Sequence, residues 1–565
     1  MAFVRRLGII AIALILPSLA QGEDFQQQGQ QALEKKEYDK AIACFTKAIQ
    51  AHPKHAASYR GRGDAFLQKD QYDKALADLN EAIKLDPKDD VAYRKRGGTY
   101  GCKQEYAKAI SDLNEAIRLD PKQAKAYSNR ANVYSEMGQH DKALADCDEA
   151  IKLDPKNAAI FACRGTVYGR QENWDRAIAD ATEAIRFDPK DATNYGLRGF
   201  IYENKGEHDK AIVDCDKAIQ LDPKYPSAYS YRAAARGRKG QLDRAIDDFT
   251  QAIRLQPKEA ESYRNRAMLY EVKGELDKAL ADVGEAIRLS PKRGRYYMLR
   301  GKWYAERREH DKAIADFTTA VHLQPNLAAA HRERGVCFGF KQNIPRALDD
   351  FSMAILLDPT DAASLTWRAY IYAAQERYDL ALPDCEAAMR LNFKKAPNYA
   401  IRGFCQLQKG LVDRAASDFT EALRLDRKYA DAHQGWGGVY LAKKQYSRAI
   451  ASFTEAIHLK PQTARYYAKR CIAYSAMEQY DKAIADCTEA IRLDPSLAFA
   501  YNNRGVAYMR KGEYAKAVTD FRDAVRLSAD IDFMKNLETA SKMAKNLRRA
   551  STLGGKSKLK GDELP

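Results

Sequence analysis

The chain has 565 residues, of which 30% are charged and 45% hydrophobic, with 10 Cys. That composition supports a packed core and excludes collagen, extended disorder and a dense disulfide framework. The 93 basic and 77 acidic side chains leave a net charge of +16, which implies a polyanionic partner only if the surplus is concentrated on one surface.

Arg5 and Arg6 precede the apolar run Leu7 to Leu16, and Pro17, Ser18, Leu19 and Ala20 follow it. This order of charged, apolar and small residues is that of a secretory signal peptide over 1–20. The run is shorter than the roughly 20 apolar residues that a membrane span needs. Export to a periplasm or the exterior, from a bacterium, is the expectation, with no transmembrane span after cleavage. The alternative is anchoring by an uncleaved N-terminal segment.

From 22 to 531 the chain is a 34-residue lattice without insertion, marked by proline at 53, 87, 121 and onward, with Phe393, Arg427 and Ala529 replacing it in the eleventh, twelfth and fifteenth units. With that proline as position 32, positions 20 (Ala41 to Ala517) and 27 (Ala48 to Ala524) are alanine in all fifteen units. Aromatics dominate position 4 (Phe25, Tyr59, Tyr93) and position 11 (Phe66, Tyr100, Tyr134), and position 8 is Gly, Ala or, once, Cys471. Such a period marks a solenoid. Spacings of three, four and seven place 4, 8 and 11 on one face of a first helix and 20, 24 and 27 on one face of a second. Small residues let the helix backbones approach and large ones fill the space between them. The LDP junction stops one helix and starts the next, and Pro226, Pro345, Pro383 and Pro397 are read as lying near helix starts. Phe533, Leu537, Ala540, Ala544 and Leu547 describe a capping helix over 532–549, and a disordered basic tail is expected over 550–565.

These residues resemble the tetratricopeptide repeat, over about nine-tenths of the chain. The resemblance implies an all-α fold: a right-handed α-solenoid superhelix of paired antiparallel helices, about two turns long for fifteen units. Its inner groove, lined mainly by first helices, would bind proteins or peptides. Two better-known ligand codes of the family are not met. The chaperone-tail carboxylate clamp has its nearest match at Arg60, Asp64, Lys95, Lys125 and Asn129, where Asp64 would repel a carboxylate. The asparagine ladder of the glycosyltransferase superhelix keeps only Asn129, Asn265 and Asn503 at position 6.

Position 7 is Arg and position 23 is Asp in thirteen units, and the two units lacking one lack the other: Gln28 with Cys44, and Trp436 with Ser452. This covariation within one chain implies a structural ladder of ion pairs, among them Arg62 with Asp78, Arg96 with Asp112, Arg130 with Asp146, Arg198 with Asp214, Arg300 with Asp316 and Arg504 with Asp520. Removing one partner of such a pair costs more than the pair contributes, so its expected role is to fix helix register. Arginines offered to an anionic ligand are the competing reading.

Catalytic chemistry is missing from the sequence. There is no phosphate loop, HExxH, CxxC or nucleophile elbow, and His331 and His433 replace the aromatic at position 4. No enzyme activity, cofactor or metal is expected. Cys147, Cys215, Cys385 and Cys487 at position 24 read as small buried hydrophobes, with Cys471 placed to face Cys487 within one unit. Specific nucleic-acid binding is not expected either, because the fifteen units share a surplus of about ten charges, spread thinly.

Positions 2, 5, 9 and 12 read the groove. Units 2 to 4 and 8 to 9 are polar and mildly basic there (Arg60, Arg94, Lys125, Arg264, Arg295), whereas units 10 to 12 supply Arg332, Val336, Thr366, Tyr370, Phe404 and Leu407. Those six are the candidate peptide groove, against ordinary packing between repeats. The expected function is an exported, non-enzymatic scaffold for a protein or peptide of unknown identity. The alternatives are a charge-driven adaptor to an anionic envelope polymer or membrane surface, and a repeat arm that regulates an enzyme on another chain.

Overall fold

The computed structural model describes residues 23–557 apart from 392 and 394; the segment read as a signal peptide and the last eight residues lie outside the described residues. Among the described residues every regular element is an α-helix. The chain forms two compact units, 1–291 and 292–565. The first carries repeats 1 to 8, and the second carries repeats 9 to 15 with the final helix.

Every repeat is a helical hairpin. Repeat 3, for example, pairs Asp90–Cys102 with Tyr106–Leu119, and repeat 9 pairs Gly294–Glu306 with His310–Leu323. The alanines at positions 20 and 27 are the most deeply buried residues in both units, none keeping more than 1% of its surface. They fix how close the backbones come. Position 8 then faces position 24: a Cβ on Gly97 would lie 2.8 Å from Leu113, and one on Gly505 2.9 Å from Phe521. In repeat 14 the same approach joins Cys471 to Cys487 as a disulfide, with Cα atoms 6.0 Å apart.

Position 24 also abuts position 6 of the following repeat. A Cβ on Gly61 would come within 2.4 Å of the Phe45 ring, and one on Gly435 within 2.2 Å of the Phe419 ring. In the first unit this contact brings the sulfurs of Cys147 and Cys163 to 3.6 Å.

The hairpin turn repeats as well. Position 15 has positive φ throughout, occupied by glycine in six repeats (Gly138 to Gly512) and by other residues in nine (Lys36 to Glu478). After the second helix of fourteen repeats, the N–H of position 31 donates to the carbonyl of the alanine at 27, as Asp86 does to Ala82 at 2.8 Å. The Asp86 carboxylate then accepts from the Lys88 N–H, turning the chain into the next repeat.

Two expectations are corrected. Pro383 lies inside the helix Tyr378–Arg390, not near its start. That helix persists because Ala381, Cys385 and Ala388 are buried in the repeat core, so packing outweighs one lost hydrogen bond. The final helix runs Ile531–Ser557, past the expected end at 549 and into the segment read as disordered, since nothing between 549 and 553 stops a helix. Its Phe533 and Ala540 are buried, and Leu537 packs against the cluster that Ala540 forms with Ala517 and Phe521 of repeat 15.

Candidate functional site

The thirteen position-7 arginines are committed internally. Each guanidinium donates twice to the position-23 carboxylate of its own repeat: Arg62 to Asp78 at 2.7 and 2.8 Å, Arg198 to Asp214 at 2.7 and 2.8 Å, Arg504 to Asp520 at 2.8 Å twice. Arg96 with Asp112, Arg130 with Asp146 and Arg300 with Asp316 have the same geometry. Hydrogen bonds to these aspartates hold the Arg62, Arg96 and Arg130 guanidinium groups above their ordinary pKa.

A third contact links neighbouring repeats. In eleven of the thirteen the remaining guanidinium nitrogen donates to position 25 of the preceding repeat, as Arg62 does to Thr46, Arg96 to Asn80, Arg164 to Asp148 and Arg368 to Ser352. Each of these arginines therefore ties three helices together and offers little to a ligand. A second set of stitches runs outside, where lysine at 14 pairs with aspartate at 18 of the preceding repeat, as in Lys103 with Asp73 at 2.7 Å and Lys443 with Asp413 at 2.8 Å.

Histidine at position 4 does the work of the tyrosine it replaces. Tyr229 and Tyr501 donate to the carbonyl of the junction proline. His331 Nε2 sits 3.3 Å from the Pro325 carbonyl, and His433 Nε2 3.0 Å from that of Arg427. Among the described residues no group of three or more His, Cys, Asp or Glu side chains is placed to hold a metal, and no helix is long and apolar enough to cross a membrane.

The basic stretch of the first unit is largely neutralised. Arg60 pairs with Asp89, and Lys95 with Asp64, both at 2.6 Å. Arg94 is held below its ordinary pKa by burial. In the second unit Arg332 is engaged by Asp361 and Glu333. The Thr366 hydroxyl is 2.8 Å from the Ala362 carbonyl and 2.6 Å from Asn398 Oδ1. Val336, Phe404 and Leu407 pack, half-buried, against the cores of their own and adjoining repeats. Of the six candidate groove residues Tyr370 stands furthest out, 55% exposed.

Tyr370 belongs to an aromatic row that position-by-position reading of 2, 5, 9 and 12 misses. His310 stacks on Phe340 with centroids 5.1 Å apart, Phe340 meets Trp367 at 6.4 Å, and Trp367 meets Tyr370 edge-on at 6.2 Å. Trp367 lies parallel to the buried Phe351 ring at 6.5 Å. Phe340 is 61% and Trp367 37% exposed, so the row is a continuous aromatic surface across repeats 9 to 11, anchored underneath by one core ring. Phe340 at position 13 and Trp367 at position 6 were visible in the sequence as aromatics outside the core pattern.

Models of the tetratricopeptide repeat match 27–90, 124–157, 194–225, 232–294, 406–464 and 498–530, and a TPR repeat model matches 103–138 and 473–512. No relative was found among curated protein sequences. Similar solved structures include the APC/C hetero-tetramer Cut9–Hcn1 (20% identity, 86% of this chain and 96% of that one, TM-score 0.47). Others are a tetratricopeptide repeat protein from Parabacteroides merdae (22%, 44% and 97%, 0.36) and the TPR domain of P58(IPK) (18%, 69% and 98%, 0.31).

Proposed function

The chain belongs to the tetratricopeptide repeat family, and from that premise we propose that it is an exported, non-enzymatic scaffold whose first-helix face in repeats 10 and 11 binds a protein or peptide segment. The observation that carries this reading is the exposed row Phe340, Trp367 and Tyr370, because exposed aromatics grouped over a rigid base are the anchors on which interfaces concentrate their binding energy. The base is rigid because Trp367 rests on Phe351 and because Arg334, Arg368 and their aspartates lock the repeats beneath. Export rests on the order of residues over 1–20.

The test is capture of the partner by the purified full chain at low and high salt. Tyr370→Ala with Phe340→Ala, both at exposed rings, is expected to abolish salt-resistant capture and leave the melting temperature unchanged. Phe404→Ala serves poorly, since that ring is half-buried beside Tyr378 at 6.2 Å. Capture that survives the double substitution but collapses in high salt overturns the aromatic face in favour of a charge-driven adaptor.

A further inference from the structure

A cysteine at position 24 has two places in which to meet a second sulfur. One is position 8 of its own repeat, the contact that joins Cys471 to Cys487. The other is position 6 of the following repeat, the contact that sets the Phe45 ring against Gly61. Cys215 has Gly199 and Tyr231 at these places, and Cys385 has Ala369 and Ile401, so neither has a cysteine there. Cys147 does. Cys163, at position 6 of repeat 5, brings its sulfur to 3.6 Å.

The two thiols differ in what reaches them. Cys147 is fully buried, whereas Cys163 keeps 7% of its surface, and its S–H donates to Oδ1 of the exposed Asn132 at 3.2 Å. The hydrogen bond from the Cys147 thiol holds Cys163 below the ordinary thiol range, and the same bond, with burial, holds Cys147 above it. The thiolate is the nucleophile in disulfide exchange, so exposure and ionisation both select Cys163 for the first step. The sulfurs must close by about 1.5 Å to reach bonding distance, a displacement within reach of side-chain rotation. The Asn132 amide loses a thiol partner and, being exposed, turns to water.

We infer that Cys147 and Cys163 form a covalent modification site, a thiol pair that closes as a disulfide between repeats 4 and 5 by exchange with a small disulfide oxidant. The Cys163 thiolate attacks one sulfur of the oxidant, breaks its S–S bond and releases one thiolate. Cys147, its proton passed to solvent, then attacks Cys163 Sγ and releases the second. Two protein thiols are thereby oxidised, and the oxidant is reduced to two thiols that take up the two protons. The Cys471–Cys487 bond ties the two helices of one repeat. The new bond ties successive repeats, next to the hydrogen bond from Arg164 to Asp148, and so stiffens the stack of the first unit. It goes beyond the proposed function and rests neither on the aromatic face nor on export.

The full chain, reduced and desalted, would be treated with cystamine in two portions, one kept folded and one refolded from guanidinium. Remaining thiols would be alkylated with iodoacetamide under denaturing conditions, and the unreduced digest read by mass spectrometry. A peptide pair linked through Cys147 and Cys163 is expected in both portions. Cys147→Ala, the residue that repeat 5 carries at position 24 as buried Ala181, should leave Cys163 as a mixed disulfide with cysteamine. Cys163→Ser should leave Cys147 alkylated. Amide exchange in His140–Leu153 and Ala158–Arg170 should be about a hundredfold slower in the oxidised than in the reduced chain, the effect of closing a loop of roughly 15 residues. In Cys147→Ala that difference should vanish. Both cysteines alkylated in both portions, Cys163 linked to any other cysteine, or exchange that oxidation leaves unchanged overturns the site. A link formed only on refolding, or a mixed disulfide on Cys147 in Cys163→Ser, overturns the first attack by Cys163.

Discussion

The position-23 aspartates keep only 4% to 8% of their surface accessible, yet each meets a guanidinium with both oxygens, so the charge is compensated where it is buried. The arginines stay partly in water, with side-chain exposures of 14% to 25%, which limits the cost of desolvating the pair. Removing the aspartate leaves the arginine without its main partner. Asp418→Ala is therefore expected to cost roughly 3 kcal/mol, at the lower end for a broken buried pair. Arg402→Met combined with Asp418→Leu should recover most of that loss. Denaturant unfolding of Asp418→Ala, of Arg402→Met and Asp418→Leu singly and of the double variant checks it, and additive losses in the double variant would show that the two side chains do not act as a pair.

At the scale of the helical hairpin, the turn is where sequence and geometry part. All fifteen position-15 residues adopt positive φ, nine of them without being glycine. A side chain in that conformation costs about 1–2 kcal/mol, and the extra freedom of glycine in the unfolded chain returns part of it, about 0.4–1 kcal/mol. Glu172→Gly and Arg308→Gly are expected to raise the stability of their repeats by roughly 0.5 kcal/mol each, read as a rise in thermal midpoint. Gly206→Ala, where φ is +88°, should lower it. The lattice of alanines and the two-helix unit were legible because burial at 20 and 27 tolerates one residue type only. The left-handed turn was not, since Lys, Asp, Gln, Glu and Arg obscure what six glycines indicate. The third partner of the arginines was hidden in another way, because Thr, Asn, Asp and Ser at position 25 are different letters that all present an oxygen. Pro383 misled because proline normally marks a helix's first turn, and here buried neighbours hold the helix around it. The aromatic row was only partly legible: Tyr370 falls on the positions read as groove, whereas His310, Phe340 and Trp367 occupy positions 17, 13 and 6 of three repeats and become neighbours only after folding.

At the scale of the molecule, a linear array is stabilised by contacts between neighbours, so its ends decide whether an apolar face meets water. The second compact unit closes with the helix Ile531–Ser557, whose Phe533 is buried and whose Leu537 and Ala540 cover Ala517 and Phe521 of repeat 15. The helix is amphipathic, and Met534, Met543 and Leu547 stay exposed on its outer side, so its attachment depends on that single packed face. Its Asn536 amide also donates to Asn502 Oδ1 at 3.0 Å. Exposing two large side chains and their core partners would cost about 4 kcal/mol, at roughly 2 kcal/mol for each large apolar side chain. Ending the chain at Ser528 should therefore destabilise repeat 15 first, with loss of amide-exchange protection in Tyr514–Leu527 before any change in repeats 9 to 12, and concentration-dependent association through the bared face. Phe533→Asp with Leu537→Asp in the full-length chain should reproduce the exchange pattern without shortening the protein. Uniform loss of protection across both compact units would instead mean that the array unfolds as one cooperative body, and that the final helix stabilises all of it.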